Sequence, residues 1–325
     1  MPSKAFPHPA AVHDGEADIL ARVIANLADH DAKLVYADWL EERDDPRGPL
    51  LRDFVQAYRA KEPLPDVSAA PEVWRDLVGL TLVADAVAVD PAFDLELLLA
   101  HARPALTFNA EAAKDDDLPR GASKFGGWPD LPPGAAWPRL DGTALSFLAQ
   151  FDLGALALSP VCRELPAGLL SVFFDTRADG WDGGLVIHTP PGVELRRLQP
   201  PDELATGAYG EDRRYKPAAL AFTEALTLPG WDSPWYGHGG PLVNTQGAGD
   251  FAGERPGLGH RLLGYAHALQ NDVHQKLSVR HLLTIDSDDA PGWMWGDSGL
   301  LYFMIDEDDL RNGRFDRVTV EMQCC

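Results

Sequence analysis

With 325 residues, 45% of them hydrophobic, the chain has length for about two domains and enough apolar content to bury a sizeable core. Its 50 acidic residues against 28 basic ones leave a formal charge of −22, which repels phosphate backbones and anionic membranes and argues against binding to either. No apolar run reaches the roughly 20 residues of a membrane span; the start has no apolar signal-peptide core, and three cysteines cannot build a disulfide framework, so a cytoplasmic protein is expected.

The first 60 residues read as helices. Ile19, Leu20, Val23, Ile24 and Leu27 recur at helical spacing behind Asp14 and Glu16. Asp31 is placed to cap a second helix carrying Val35, Tyr36, Trp39 and Leu40 on one face. After a turn at Asp45-Pro46-Arg47-Gly48, Leu50, Leu51, Phe54, Val55 and Tyr58 describe a third helix. Three short helices with one shared apolar side form a small bundle. Residues 61–70, rich in Pro, Ala and charge, read as a linker, followed by helical stretches over about 71–89 and 93–101. Residues 104–325 are therefore expected to fold without residues 1–60.

Beyond Pro104 the texture changes to short strands with frequent Pro and Gly, and seven of the nine tryptophans fall between Trp128 and Trp295. One phrase occurs twice there. Leu148-Ala149-Gln150-Phe151-Asp152 precedes Gly168-Leu169-Leu170-Ser171-Val172-Phe173-Phe174-Asp175; Leu282-Leu283-Thr284-Ile285-Asp286 precedes Gly299-Leu300-Leu301-Tyr302-Phe303-Met304-Ile305-Asp306. The repeat predicts two strand pairs in one sheet, related by an approximate twofold rotation. Their second strands are too continuously apolar for a half-exposed strand, so both faces should be covered. Gly168 and Gly299 should mark where the chain turns into a strand or a neighbour packs close. The fold class expected is α+β: a small N-terminal helical bundle (1–60), a linker with connecting helices (61–103), and a β-rich, mostly antiparallel body with an internal pseudo-twofold duplication (104–325).

Two segments carry resemblances. Leu34-Val35-Tyr36-Ala37-Asp38-Trp39-Leu40-Glu41-Glu42-Arg43 with Asp45-Pro46-Arg47-Gly48 resembles the bacterial repeat-companion domain over about residues 14–60. That resemblance implies an accessory or interaction role and brings no catalytic residues. Ser123-Lys124-Phe125-Gly126-Gly127-Trp128-Pro129-Asp130-Leu131-Pro132 is followed by Trp137-Pro138 and the Phe147 to Leu153 strand. His260-Arg261-Leu262-Leu263-Gly264-Tyr265 with Gln270, then Trp295-Gly296-Asp297-Ser298-Gly299, Phe315-Asp316 and Gln323-Cys324 complete the order. Together they resemble the YwqG-like family of bacterial proteins over about residues 104–325. The family is uncharacterised, so the resemblance implies a fold rather than an activity. Ala266 stands where the family usually has proline, and Thr284 stands where a second glutamine would echo Gln150.

Candidate chemistry is sparse. His260, His267, His274 and His281 are seven residues apart, but seven helical residues rise about 10.5 Å, too far for ligands of one zinc. Chance spacing or surface histidines are the expectation. Asp286, Asp288 and Asp289 lack the alternation, glycine and later glutamate of a calcium loop. Asp306 to Asp309 read as the acidic start of a helix. Tyr236 to Gly240 and Gly247 to Asp250 lack phosphate-loop context, although the Gly-rich segment 230–259 suits a lid. Ser298 sits outside any nucleophile elbow, and Cys324-Cys325 reads as a strand end. No catalytic residue, metal site or cofactor is expected. Trp293-Met294-Trp295-Gly296-Asp297 is the best local candidate for a pocket wall, a flat apolar face beside a directed acceptor, with a structural turn as the alternative. The candidate ligand-binding set is Gln150, Asp152, Gln270, Asp286, Trp295 and Asp297. The leading functional expectation is a non-enzymatic, protein-binding protein with a basic partner, toxin neutralisation being a narrower form. The alternative is a small-ligand-binding protein or hydrolase with its site between the repeated halves.

Overall fold

The computed structural model describes residues 6, 8–89, 94–163, 165–177, 183–206, 212–230, 233–243 and 259–324. Three helices, α1 (Glu16–Ala25), α2 (His30–Glu41) and α3 (Arg47–Ala60), form the N-terminal bundle. The α2 cap is Asp29, whose side chain accepts from Ala32 N–H at 2.9 Å, two residues before the Asp31 expected from sequence. The next stretch is broken at Gly79 into α4 (Glu72–Leu77) and α5 (Leu80–Val89), and α6 (Leu95–His101) follows.

The Tyr-Ala-Asp-Trp-Leu and Asp-Pro-Arg-Gly motifs meet inside the bundle. Arg47 reaches Glu16 at 2.8 Å and Asp45 at 2.7 Å and donates to the Ala10 carbonyl. Tyr36 Oη donates to Glu16 and accepts from Trp74 Nε1 at 3.0 Å. Trp74 belongs to α4, so the network ties the bundle to the helices after it.

Residues 61–70 join that packing. Val67 and Ala70 are buried in one apolar core that runs from Ala10 to Ala102 and takes in Leu226 and Leu228 of the β body. Glu224 of the body, also buried, accepts from Ala10 N–H and from Ser159 Oγ, each at 2.6 Å. Residues 1–60 thus have a packing role that the expectation of a self-sufficient 104–325 did not include.

The body is built on a ten-stranded antiparallel sheet. Its strands are β1 (Arg103–Ala112), β2 (Lys124–Phe125), β6 (Ser146–Asp152), β7 (Leu169–Phe174), β8 (Gly184–Thr189), β10 (Ala218–Thr227), β11 (Arg261–Leu263), β12 (Val279–Asp286), β13 (Leu300–Asp306) and β14 (Thr319–Gln323). Two ribbons, β3 (Asp130–Leu131) with β9 (Arg196–Arg197) and β4 (Arg139–Leu140) with β5 (Thr143–Ala144), lie outside it. The strand order is β14-β13-β12-β11-β1-β10-β2-β6-β7-β8. Read inward from either edge it is the same pattern, with β1 and β10 as the central antiparallel pair. The edges curl toward each other. His188 of β8 meets Phe315, before β14, with ring centroids 5.5 Å apart, and Gly184 of β8 lies against Val320 of β14.

The duplication expected from the repeated phrase is present in detail. β6 pairs with β7 and β12 with β13, and each pairing slips by one residue at the equivalent leucine, Leu148 or Leu282. Leu169 opposes Thr189 at the end of β8, as Leu300 opposes Gln323 at the end of β14. Both faces are covered. Leu170, Val172 and Phe174 enter the main core with Leu301, Phe303 and Ile305. Phe173 packs outside with Leu131 and Phe147, and its counterpart Met304 packs outside with Ala266 and Val273.

Candidate functional site

The short strands β2 and β11 are equivalent in the two halves and hold the family-like motifs. At the end of each, two residues adopt left-handed φ: Gly126 and Gly127 at 51° and 70°, Leu263 and Gly264 at 61° and 74°. The turn folds the chain back so that a buried cation on the strand reaches the carbonyl four residues ahead. Lys124 Nζ donates to Trp128 O at 2.6 Å, and Arg261 Nη1 donates to Tyr265 O at 2.8 Å. Sequence comparison of the strand pairs alone did not align these cations; the signal was the shared spacing from cation to glycine to aromatic.

The surroundings then diverge. Lys124 pairs with Asp115, and Asp130 takes Arg197 at 3.0 Å, Gly121 N–H at 3.0 Å and Gln150 Nε2 at 2.8 Å. Burial alone would raise the Asp130 pKa, but these donors outweigh it and hold the carboxyl below its ordinary value. In the other half, burial lowers Arg261 to about 10 and His267 to about 4, and holds His281 well below the ordinary histidine range. Arg261 adds its charge to both histidine shifts.

The heptad histidines are therefore not surface groups. His260, His274 and His281 are buried. His281 Nδ1 faces the Leu263 carbonyl at 2.9 Å, so it carries the proton, and Nε2 accepts from Thr284 Oγ1 at 2.7 Å. His260 Nδ1 accepts from Asp286 N–H at 3.0 Å, which leaves the proton on Nε2 for Asp288 at 2.9 Å. Each ring has both nitrogens engaged, so neither has one free to take a substrate proton. Among the described residues no three His, Cys, Asp or Glu side chains are grouped to hold a metal ion.

The six candidate residues fall into separate places. Gln150 is fully buried; its Oε1 accepts from Asp130 N–H and its Nε2 donates to Ala122 O. Asp152 caps α7 (Leu153–Leu156) through Ala155 N–H at 3.0 Å. Gln270 donates from its backbone to Gln323 Oε1 and from its side chain to Cys324 O. Asp286 and Trp295 do meet: the Asp286 carbonyl accepts from Trp295 Nε1 at 3.3 Å and from Trp293 Nε1 at 2.8 Å. Burial raises the Asp286 carboxyl, partly offset by His260. Trp295 is buried against Phe174, with ring centroids 5.9 Å apart. Gln150 opposes Ser171, which shares a face with Phe173, whereas Phe174 points the other way. Gln150 and Trp295 thus lie on opposite faces of the sheet and line no common pocket. Asp297 is exposed and makes no hydrogen bond to a described residue. The acidic run begins a helix as expected, with Asp306 capping α8 (Glu307–Arg311). Gly247 to Asp250, Cys325 and most of 230–259 lie outside the described residues.

A concave site is found elsewhere. A cavity of about 470 Å³ lies where the helices meet the body. Ala21, Ile24 and Ala25 of α1 and Ala100 and Ala102 around the end of α6 form one wall. Pro160, Val161, Leu165 and Leu310 form the other, and Arg103, Arg280, Glu307 and Arg311 supply its charge. Arg280 and Arg311 share Glu307, at 2.9 and 3.0 Å. The Arg103 guanidinium lies 4.5 Å from the Tyr265 ring centroid, and its buried Nη1 makes no hydrogen bond to a described residue. Burial lowers its pKa, and nearby Arg280 lowers it further. Sequence reasoning missed this site because its residues come from six separate segments with no common motif.

No described helix is long and apolar enough to cross a membrane. No curated protein matches the chain. The family described as Domain of unknown function (DUF1963) matches residues 123–196 and 208–324, a span holding β2, β6 to β8 and β10 to β14 and more than half of the chain. The chain belongs to that family of unknown function.

Proposed function

We propose that this is a non-enzymatic binding protein that takes a small organic ligand in the cavity between the helices and the β body. The observation that carries the reading is the cavity itself, whose volume of about 470 Å³ falls in the range of small-molecule sites, roughly 300–1,000 Å³, and which is lined mostly by apolar residues together with a few charged groups. One wall belongs to the helices and the charged end to the body, so a bound ligand would tie the two together. The seat differs from a site between the repeated halves, where aromatic side chains fill the core. The basic-protein-partner reading rests on the −22 charge. We read the family match more finely as YwqG-like, residues 14–60 as a repeat-companion module, and the setting as cytoplasmic; the ordered motifs and the cysteine usage support this.

A thermal-shift screen with small organic compounds tests the reading, since a ligand of the native state raises the melting temperature. Hits should shift the parent protein and lose their effect on an Ala25→Trp variant. Ala25 is exposed on α1, so the indole can fill the cavity mouth while the unliganded variant melts like the parent. A screen without hits, or hits indifferent to Ala25→Trp, would count against it.

A further inference from the structure

We infer that the ligand is an organic acid, a carboxylate carried on an apolar body, anchored by Arg103; this rests on the cavity being a ligand site. The cavity's charged lining is three guanidiniums and one carboxylate. Arg280 and Arg311 both pair with Glu307, whereas the Arg103 guanidinium has no carboxylate partner among the described residues and its buried Nη1 makes no hydrogen bond to one. In a chain with 50 acidic residues and 28 basic ones, a lining that is net positive is the reverse of the average surface. The Arg103 guanidinium is held by ring contacts, 4.5 Å from the Tyr265 centroid and 5.2 Å from that of Trp235. Cation–ring contacts hold a guanidinium in place without using its donors. A carboxylate matches that fork in shape and charge and gains charge-assisted hydrogen bonds in a half-buried setting. The remaining walls, Ile24, Val161, Leu165 and Leu310 with alanines between them, offer no polar side chain, so the rest of the ligand is apolar. Inorganic phosphate would meet the charge and waste those walls.

Calorimetric titration with octanoate, octanamide and inorganic phosphate against the full chain separates the elements of this inference. Octanoate should bind, octanamide at least about tenfold more weakly, and phosphate weakly or not at all, because removing the charge forfeits the charge-assisted bonds. Arg103→Gln should weaken octanoate by a similar factor and leave octanamide unchanged. Arg311→Glu, on a side chain 64% exposed, reverses charge at the rim and should weaken octanoate several-fold even where Arg103→Gln folds poorly. Octanamide binding as tightly as octanoate, phosphate competing equally, or octanoate binding indifferent to both variants would overturn the inference. Neutral compounds that bind while octanoate does not would sink the organic-acid assignment and leave the ligand site standing. A protein that binds none of them, and nothing in the wider screen, would remove both.

Discussion

Gly299→Val should destabilise the protein by about 3 kcal/mol, near the top of the range for single substitutions, and Gly168→Val should do the same. A Cβ on Gly299 would lie 2.3 Å from the Gln323 carbonyl oxygen and 2.6 Å from that of Trp295. One on Gly168 would lie 2.3 Å from Thr189 O, at a φ of 133° that side chains rarely adopt. Gln323 and Thr189 end the two edge strands, β14 and β8, at equivalent registers. Backbone atoms cannot swing aside as a side chain tip can, so relief requires the edge strand to part from its neighbour. Chemical denaturation of both variants checks this; either one unfolding at the parent's midpoint would refute the close approach.

Arg47→Met should cost about 3–5 kcal/mol at neutral pH, because it strands two buried carboxylates. Glu16 is fully buried and Asp45 nearly so, and Arg47 is the cation that reaches both. Burial works to raise the Asp45 pKa, but the hydrogen bonds from Arg47 and His13 dominate and depress it. A carboxyl depressed in the folded state stabilises above its unfolded pKa of about 4, and that contribution is lost as pH falls through the folded value. Removing Arg47 reverses the sign, since protonation then relieves the stranded charge. The gap between parent and variant should be widest at pH 7 and narrow below about pH 4. Adding Glu16→Gln to Arg47→Met should recover part of the loss. A constant gap across pH would show that shape, not charge, sets the cost.

The body's symmetry was legible because strands repeat locally: Leu148 to Asp152 and Leu282 to Asp286 share length, polarity and a terminal aspartate. The bulges at Leu148 and Leu282 were not, since a one-residue slip leaves no mark on an apolar run. Of the two readings of the histidines, chance spacing stands and surface placement does not. Spacing along the chain carries information on a helix, whereas His260 to His281 cross a strand, a turn and another strand. The Asp-Pro-Arg-Gly motif showed a turn, but its buried ion pairs depend on Glu16, 31 residues earlier. Residues 61–70 looked like a linker because only Leu64, Val67 and Ala70 pack on the core, small or isolated apolar residues among Pro, Ala and charge. Trp295, expected as a pocket wall, is a core residue that faces away from Gln150. The cavity is a property of how α1, α6 and α8 sit together, which no local pattern encodes.

The most direct measurement of the ligand site is a methyl-resolved NMR titration of the full chain with octanoate. Shifts should concentrate at Ile24, Val161, Leu165 and Leu310, which come from three segments and line the cavity together. Methyl groups of the main core, such as Leu170 and Leu301, should stay in place. Shifts confined to the main core, or a spectrum unchanged at saturating octanoate, would contradict a ligand seated between the helices and the β body.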